Sequence, residues 1–229
     1  MIKLREIARK CIGLSGSFSV LEDFYGYTNA PNRLSLVRQA RLLRDGRHIV
    51  VHPKIGTNPI NFTVDQMMDS MRQVFGEHGI AVIVRDAENL NLPPDLQVVD
   101  VGTCDGSVTA EQTQIFNNRN NVGNNEIVIY FVQDTPGFDG CAIHPPNRPG
   151  AIVAADAQVW VVAHEIGHNL GLGHPDQASC GPPPPMPPPS MTDRLMTCTW
   201  LGNITNPPPD LIQSEVDTMN NSPLNTRCN

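Results

Sequence analysis

The segment from His164 to His174 constrains this chain more than any other part, and it reads HEIGHNLGLGH. Residues four apart on an α-helix lie on nearly the same face, so His164 and His168 can bind one metal ion side by side. Gly171 then allows the chain to leave the helix sharply, because glycine adopts left-handed backbone angles at little cost. We expect that turn to bring His174 back to the same ion.

Three neutral histidines with water in a fourth position form the open tetrahedral arrangement of catalytic rather than structural zinc sites. Glu165 directly follows the first histidine and can accept a proton from that water. The alternative is a buried helix whose histidines bond only backbone groups, but five matching positions within eleven residues favour the metal site. We therefore predict Zn²⁺ ligands at His164, His168 and His174, with Glu165 as the catalytic residue.

The pattern H-E-x-x-H-x-x-G-x-x-H resembles the signature of the metzincin clan of zinc endopeptidases. A second match lies further along the chain, where residues 194–197 read RLMT at the place of the clan's Met-turn. The resemblance implies that Met196 forms an apolar floor beneath the zinc-binding histidines. The alternative for Met196 is an ordinary core methionine, since methionine packs adaptably in either setting.

The subfamily within the clan stays open on these residues. Pro175 after the third histidine is similar to the serralysins, yet the glycine-rich calcium repeats of that group are missing here. Astacins and serralysins place a tyrosine where this chain has Cys198, and no tyrosine follows Tyr130. Reprolysin-like and pappalysin-like groups are the other candidates.

The clan resemblance implies an endopeptidase that binds a protein or peptide substrate in extended form along an edge strand of a sheet. Residues 150–155 are expected to form that edge strand, antiparallel to its neighbours and bordering the cleft. Two other classes of function stay open. One is a zinc hydrolase of a non-peptide amide or ester, and the other is a catalytically silent binding or toxin-like module on the same fold.

Hydrophobic patterning predicts the α+β fold class, with a twisted, mostly parallel sheet of the α/β type. Strands are expected at 48–52, 80–84 and 126–132, and a helix over 64–79 carries methionines on its buried face. A strand, a helix and a strand in this order indicate a crossover between parallel strands. A final helix is expected near 210–220. His48, His52, His78 and His144 are scattered and are not expected to be ligands.

The chain has 229 residues, enough for one sizeable core that can divide into two lobes. We expect a catalytic domain over 48–229, with an upper lobe at 48–173 and a lower lobe at 174–229 that carries the Met-turn. The net charge of −7 argues against nucleic acid as a partner, because phosphate binding needs a basic surface. No apolar stretch is long enough to span a membrane, and a monomer is expected.

Residues 1–47 form a basic N-terminal extension, with nine of the sixteen lysines and arginines and four acids. A short amphipathic helix is expected within 33–44. One hypothesis is a pro-segment in which Cys11 or Asp23 caps the zinc. The interpretation we favour is a structural cap on the catalytic domain, because the residues around Cys11 match no known switch pattern.

The chain has six cysteines, which fit three disulfides in a secreted protein. The preferred pairing joins Cys180 to Cys198 and closes the loop that carries the Met-turn. Cys104–Cys141 and Cys11–Cys228 follow by elimination. The alternative is a set of reduced thiols in a cytosolic protein, and the first ten residues lack the apolar core of a secretory signal.

Overall fold

The structure is a computed structural model that describes residues 46–175, 193–198, 204 and 206–227. The described part of the chain contains seven strands and four α-helices. The strands are β1 Arg47–Ile55, β2 Ile80–Val84, β3 Glu88–Asn89, β4 Ile127–Val132, β5 Gly140–Cys141, β6 Gly150–Ala154 and β7 Thr226–Arg227. The helices are α1 Val64–Glu77, α2 Ala110–Ile115, α3 Val161–Asn169 and α4 Gln213–Asn221, and Pro94–Leu96 forms a short 3₁₀ turn.

The strands form one mostly parallel sheet in the order β2-β1-β4-β6-β5. β1 pairs in parallel with β2, β3 and β4, and β4 pairs in parallel with β6. Only β5 and β7 pair antiparallel among these strands, with β6 and with the start of β1 respectively. The predicted fold class is therefore confirmed. The pairing of β7 also returns the C-terminal part of the chain to the sheet of the expected upper lobe.

Helix α1 begins where its sequence predicts. The hydroxyl of Thr63 accepts a hydrogen bond from the amide of Gln66 at 3.2 Å, and the Gln66 side chain accepts from the amide of Thr63 at 2.8 Å. This reciprocal capping satisfies amides that the first helical turn leaves unpaired. The predicted methionine stripe lies in the core, and Gly79 with a φ of +81° turns the chain into β2.

The sheet has a core cluster on each face. The odd-numbered residues of β4 pack into the first cluster, together with α1 and α3. The even-numbered residues of β4 pack into the second cluster, together with α2 and the segment that precedes it. Because successive strand side chains point to opposite faces, β4 must be apolar throughout to fill both clusters. This explains its uninterrupted IVIYFV sequence.

The prediction that residues 150–155 form an antiparallel edge strand is wrong. β6 lies between β4 and β5 and runs parallel to β4, with all five of its residues buried. An apolar run buried on both faces is typical of an interior strand. The antiparallel strand at the edge is the two-residue β5, which is too short to produce a hydrophobic pattern of its own.

The predicted disulfide Cys104–Cys141 is confirmed. Cys198 is also disulfide-bonded. The predicted pairing of Cys198 with Cys180, and that of Cys11 with Cys228, involves cysteines outside the described residues. The N-terminal extension up to residue 45 and its expected helix also lie outside them.

The final helix is confirmed, although it begins at Gln213 rather than near 210. Its inward-facing residues Val216 and Met219 are buried, as is Leu211 just before it. None of the helices in the described part is both long and apolar enough to cross a bilayer.

Candidate metal centre

Helix α3 carries the first two predicted ligands and is fixed at both ends. The hydroxyl of Ser70 in α1 donates to the carbonyl of Val159 at 2.9 Å, just before α3 begins. At the other end, the amide group of Asn169 donates to the carbonyl of Gly150 in β6 at 3.0 Å. The helix therefore lies against both α1 and the sheet, which defines the position of the histidines along it.

The end of α3 is a Schellman motif that redirects the chain toward the helix. The amide of Leu172 donates to the carbonyl of Gly167, and the amide of Gly171 to that of His168, both at 3.0 Å. Gly171 has a φ of +99°, a left-handed conformation that favours glycine. The predicted sharp turn is thus present, and it returns His174 to the helix.

The three histidines converge through their Nε2 atoms. The Nε2–Nε2 distances are 3.1 Å between His164 and His168, and 3.0 Å from His174 to each of the other two. Ligand nitrogens around a tetrahedral zinc ion lie about 3.3 Å apart when each Zn–N bond is about 2.0–2.1 Å. Within the described residues, this is the one group of side chains whose ligand atoms could hold a metal ion.

Backbone carbonyls determine which nitrogens of two rings carry hydrogen. The carbonyl of Leu195 lies 2.7 Å from Nδ1 of His164, and that of Leu172 lies 2.8 Å from Nδ1 of His168. Because a carbonyl only accepts, Nδ1 is the donor and the Nε2 lone pair of each ring faces the centre of the triangle. Burial lowers the pKa of both histidines, that of His164 well below its usual range, which favours neutral rings. Neutral rings with converging lone pairs fit a bound cation.

Glu165 is buried beside this triangle and against the edge strand. The amide of Ala142, which directly follows β5, donates to its carboxylate. Burial, together with the nearby charge of Asp139, raises the pKa of Glu165 to about 8, against the effect of the Ala142 hydrogen bond. A Cβ at Gly140 would lie 2.9 Å from Oε1 of Glu165, so a side chain at this position would displace the carboxylate.

Met196 packs where the resemblance implies. It is fully buried, and a Cβ at Gly167 would lie 2.6 Å from its Sδ atom. Gly167 precedes His168 on α3, so the thioether lies against the helix between the two ligand positions. The four scattered histidines, by contrast, lie elsewhere: the ring of His52, for example, is 2.8 Å from the carboxylate of Glu126.

Comparison with known families agrees with this geometry. The model of the reprolysin-like M12B metallopeptidase family matches residues 62–175, from the start of α1 to just beyond the third histidine. The chain belongs to the metzincin type of zinc metallopeptidases. Of the subfamilies considered above, the match favours the reprolysin-like group. No curated protein matches the chain.

Two solved structures are similar to this metallopeptidase. An archaemetzincin from Methanopyrus kandleri has 17% sequence identity and a TM-score of 0.47, and the match covers 75% of this chain and 93% of that one. A zinc-dependent peptidase from Methanocorpusculum labreanum has 16% identity and a TM-score of 0.45, with 74% and 100% of the two chains covered.

A hydrogen bond and an ion pair connect the Met-turn of the metallopeptidase to α4 and the residues just before it, and neither contact was predicted from the sequence. The amide of Leu195 donates to the carbonyl of Asp210 at 3.0 Å, and the guanidinium of Arg194 pairs with the carboxylate of Glu215 at 2.6 Å. Both side chains of this ion pair are largely buried. Through Leu195, the C-terminal helix therefore contributes to the orientation of His164.

Replacing Glu215 with alanine should lower the free energy of unfolding by about 3 kcal/mol or more, because it leaves the Arg194 charge largely buried without its partner and the Ile212 amide without its acceptor. Urea unfolding of the zinc-loaded protein measures this. The matched control is Asp217→Ala on the exposed face of α4, for which we expect a change within about 0.5 kcal/mol. An equal decrease in the free energy of unfolding for the two variants would show that the ion pair does not anchor the Met-turn.

Proposed function

We propose that the chain is a zinc-dependent endopeptidase in which His164, His168 and His174 hold Zn²⁺ and Glu165 is the general base. The observation that carries this proposal is the convergence of three Nε2 atoms at 3.0–3.1 Å, with a buried carboxylate on the next residue of the helix. Metal binding by these three residues stays a prediction that their geometry supports.

Zinc bound there would lower the pKa of a water molecule toward neutrality and polarise the scissile carbonyl as a Lewis acid. Glu165 takes a proton from the attacking water and transfers it to the departing amine. A base must be ionised, and although burial raises the pKa of Glu165, the charge of a zinc ion bound beside it would favour the ionised carboxylate, as does the hydrogen bond from Ala142. The same hydrogen bond holds the carboxylate at the edge strand, where the substrate is expected.

The edge strand supports the proposal of an extended polypeptide substrate. β5 is the last strand in the sheet order, next to β6. Backbone groups on the outer side of such a strand can pair with an extended chain, which adds to the sheet as a further strand. Backbone amides of this segment would also stabilise the charge that develops on the scissile carbonyl oxygen.

We also propose that the protein is secreted and monomeric. The support for secretion is the Cys104–Cys141 disulfide, together with the absence of free cysteines from the described residues, whereas the monomeric state stays a prediction. Disulfides persist in oxidising compartments. Fractionation of the native source, followed by non-reducing electrophoresis and size-exclusion chromatography, tests this. Reduced protein in the cytosol would contradict secretion.

The experiment that tests the function combines metal analysis with digestion of denatured, fluorescently labelled casein. We expect about one zinc ion per chain, internal fragments from casein, and loss of cleavage with a chelator that added zinc reverses. Release of single terminal residues would contradict endopeptidase action. A panel of non-peptide amides and esters identifies the alternative hydrolase, and zinc binding without any hydrolysis would indicate a binding module.

A further inference from the structure

The edge strand β5 has few contacts of its own to hold it. It contains only Gly140 and Cys141, and in the described part of the chain it pairs with β6 alone. One flanking hydrogen bond joins the amide of Ala154 to the carbonyl of Asp139 at 3.0 Å. So short a strand is not stable by itself and depends on the contacts of its side chains.

Two buried side-chain contacts hold this segment from the face of the sheet opposite α3. Cys141 packs in the second core cluster, where it is bonded to Cys104. Gln112 of α2 is fully buried, and its Nε2 donates to the carbonyl of Ile143 at 3.1 Å. Both contacts act on the two residues that flank Ala142, whose amide holds Glu165.

Gln112 and Cys104, which make these two contacts, are themselves held in place by local structure. The side chain of Gln112 accepts a hydrogen bond from the amide of Thr109 at 2.9 Å, as part of the capping box of α2. Cys104 has a φ of 50°, a left-handed conformation that few residues with side chains adopt. The loop before α2 and the start of α2 thus form a fixed support for β5.

The catalytic base and the metal ligands have separate supports. The Glu165 carboxylate contacts the β5 segment through the Ala142 amide and the backbone at Gly140. The rings of His164 and His168 are instead oriented by carbonyls that follow α3 or belong to the Met-turn. A displacement of β5 would therefore move the base and the substrate edge while the metal site stays intact.

We propose that the Cys104–Cys141 disulfide and Gln112 are positioning residues for the reaction. They hold β5 at the distance from α3 that aligns Glu165 and the substrate backbone with the metal site. This inference rests on the proposed function. Neither group touches the substrate, and each acts through the strand, so its loss should lower catalysis without removing zinc.

The test uses two variants of the full, zinc-loaded chain. The double variant Cys104→Ala/Cys141→Ala removes the disulfide and leaves no free thiol at either position. Gln112→Glu keeps an oxygen that can accept from Thr109 but removes the donor to Ile143. The control is Ile80→Ala, a truncation of a buried side chain in β2, at the other end of the sheet order from β5, that lowers the melting temperature without touching either contact.

These two variants should lose catalytic activity while they retain zinc binding. We expect kcat/KM for casein cleavage to fall at least about tenfold in both, because small misplacements of reacting groups are costly. The zinc dissociation constant should change less than about twofold, and Ile80→Ala should keep kcat/KM within about twofold at a comparable loss of melting temperature. Unchanged kcat/KM, or zinc lost in proportion to activity, would overturn the inference.

Hydrogen exchange gives a measurement that does not depend on activity. The Ala142 amide should exchange at least about tenfold faster in the double variant, while the amides of α3 keep their protection. If the wild-type, zinc-loaded chain cleaves no casein, the proposed endopeptidase function fails, and Ala142 exchange then tests only whether the disulfide holds the β5 segment in place. Exchange of Ala142 at the wild-type rate would overturn the positioning inference whatever the activity.

Discussion

Replacing Glu165 with glutamine should lower kcat/KM for peptide hydrolysis by about 10²–10⁴-fold, the range that a general base contributes. Glutamine is similar in size, and its carbonyl oxygen can still accept the hydrogen bond from Ala142, so the fold and the metal site should persist. It cannot take a proton from the attacking water. The measurement is casein cleavage together with the zinc content of the same sample.

The control for this prediction is Glu77→Gln at the exposed end of α1, which makes the same chemical change away from the site. It should leave kcat/KM and zinc content unchanged. A Glu165→Gln protein that retains both zinc and the wild-type rate would show that another group is the base.

Replacing His168 with alanine should weaken zinc binding by about a hundredfold or more. Zinc sites in small domains bind with about 10–16 kcal/mol shared among four ligands, so each ligand contributes roughly 3 kcal/mol. Peptidase activity at limiting zinc should be lost with the metal. Competition with a zinc-binding dye measures the dissociation constant directly.

His78→Ala is the matched control for the ligand substitution. His78 follows the end of α1 and does not belong to the group of converging histidines. Its loss should leave the zinc dissociation constant within about twofold of the wild type. Equal weakening by the two substitutions would mean that histidine content, rather than the converging triad, determines zinc binding.

Features that depend on neighbouring residues could be predicted from the sequence. The start of α1 follows from Thr63 and Gln66, whose side chains and amides pair within one turn. The approach of His174 to the helix follows from the left-handed turn at Gly171. In each case the interaction lies within a few residues, so the pattern contains the partners that determine the structure.

The edge of the sheet could not be predicted in the same way. A strand of two residues, Gly140 and Cys141, has no periodicity, and its position depends on Cys104 and Gln112, which are distant in sequence. The glycine was the available signal, because glycine within a strand often marks a close approach of another group. Here that group is the Glu165 carboxylate.

The support of the Met-turn was missed for a similar reason. Arg194 and Glu215 are separated by 21 residues, and nothing in the local pattern around either predicts that they pair. The same holds for the carbonyl of Leu195, which orients His164 across 31 residues. Long-range contacts of this kind follow from the packing of whole elements, which local patterns in the sequence do not reveal.

The central claim is that His164, His168 and His174 bind one catalytic zinc ion. The most direct test is a crystal structure of the zinc-loaded protein with anomalous scattering measured on both sides of the zinc absorption edge. We expect a single zinc peak at about 2.0–2.1 Å from each of the three Nε2 atoms. A zinc peak at another site with none between these nitrogens would contradict the account, and so would histidine rings that point away from one another.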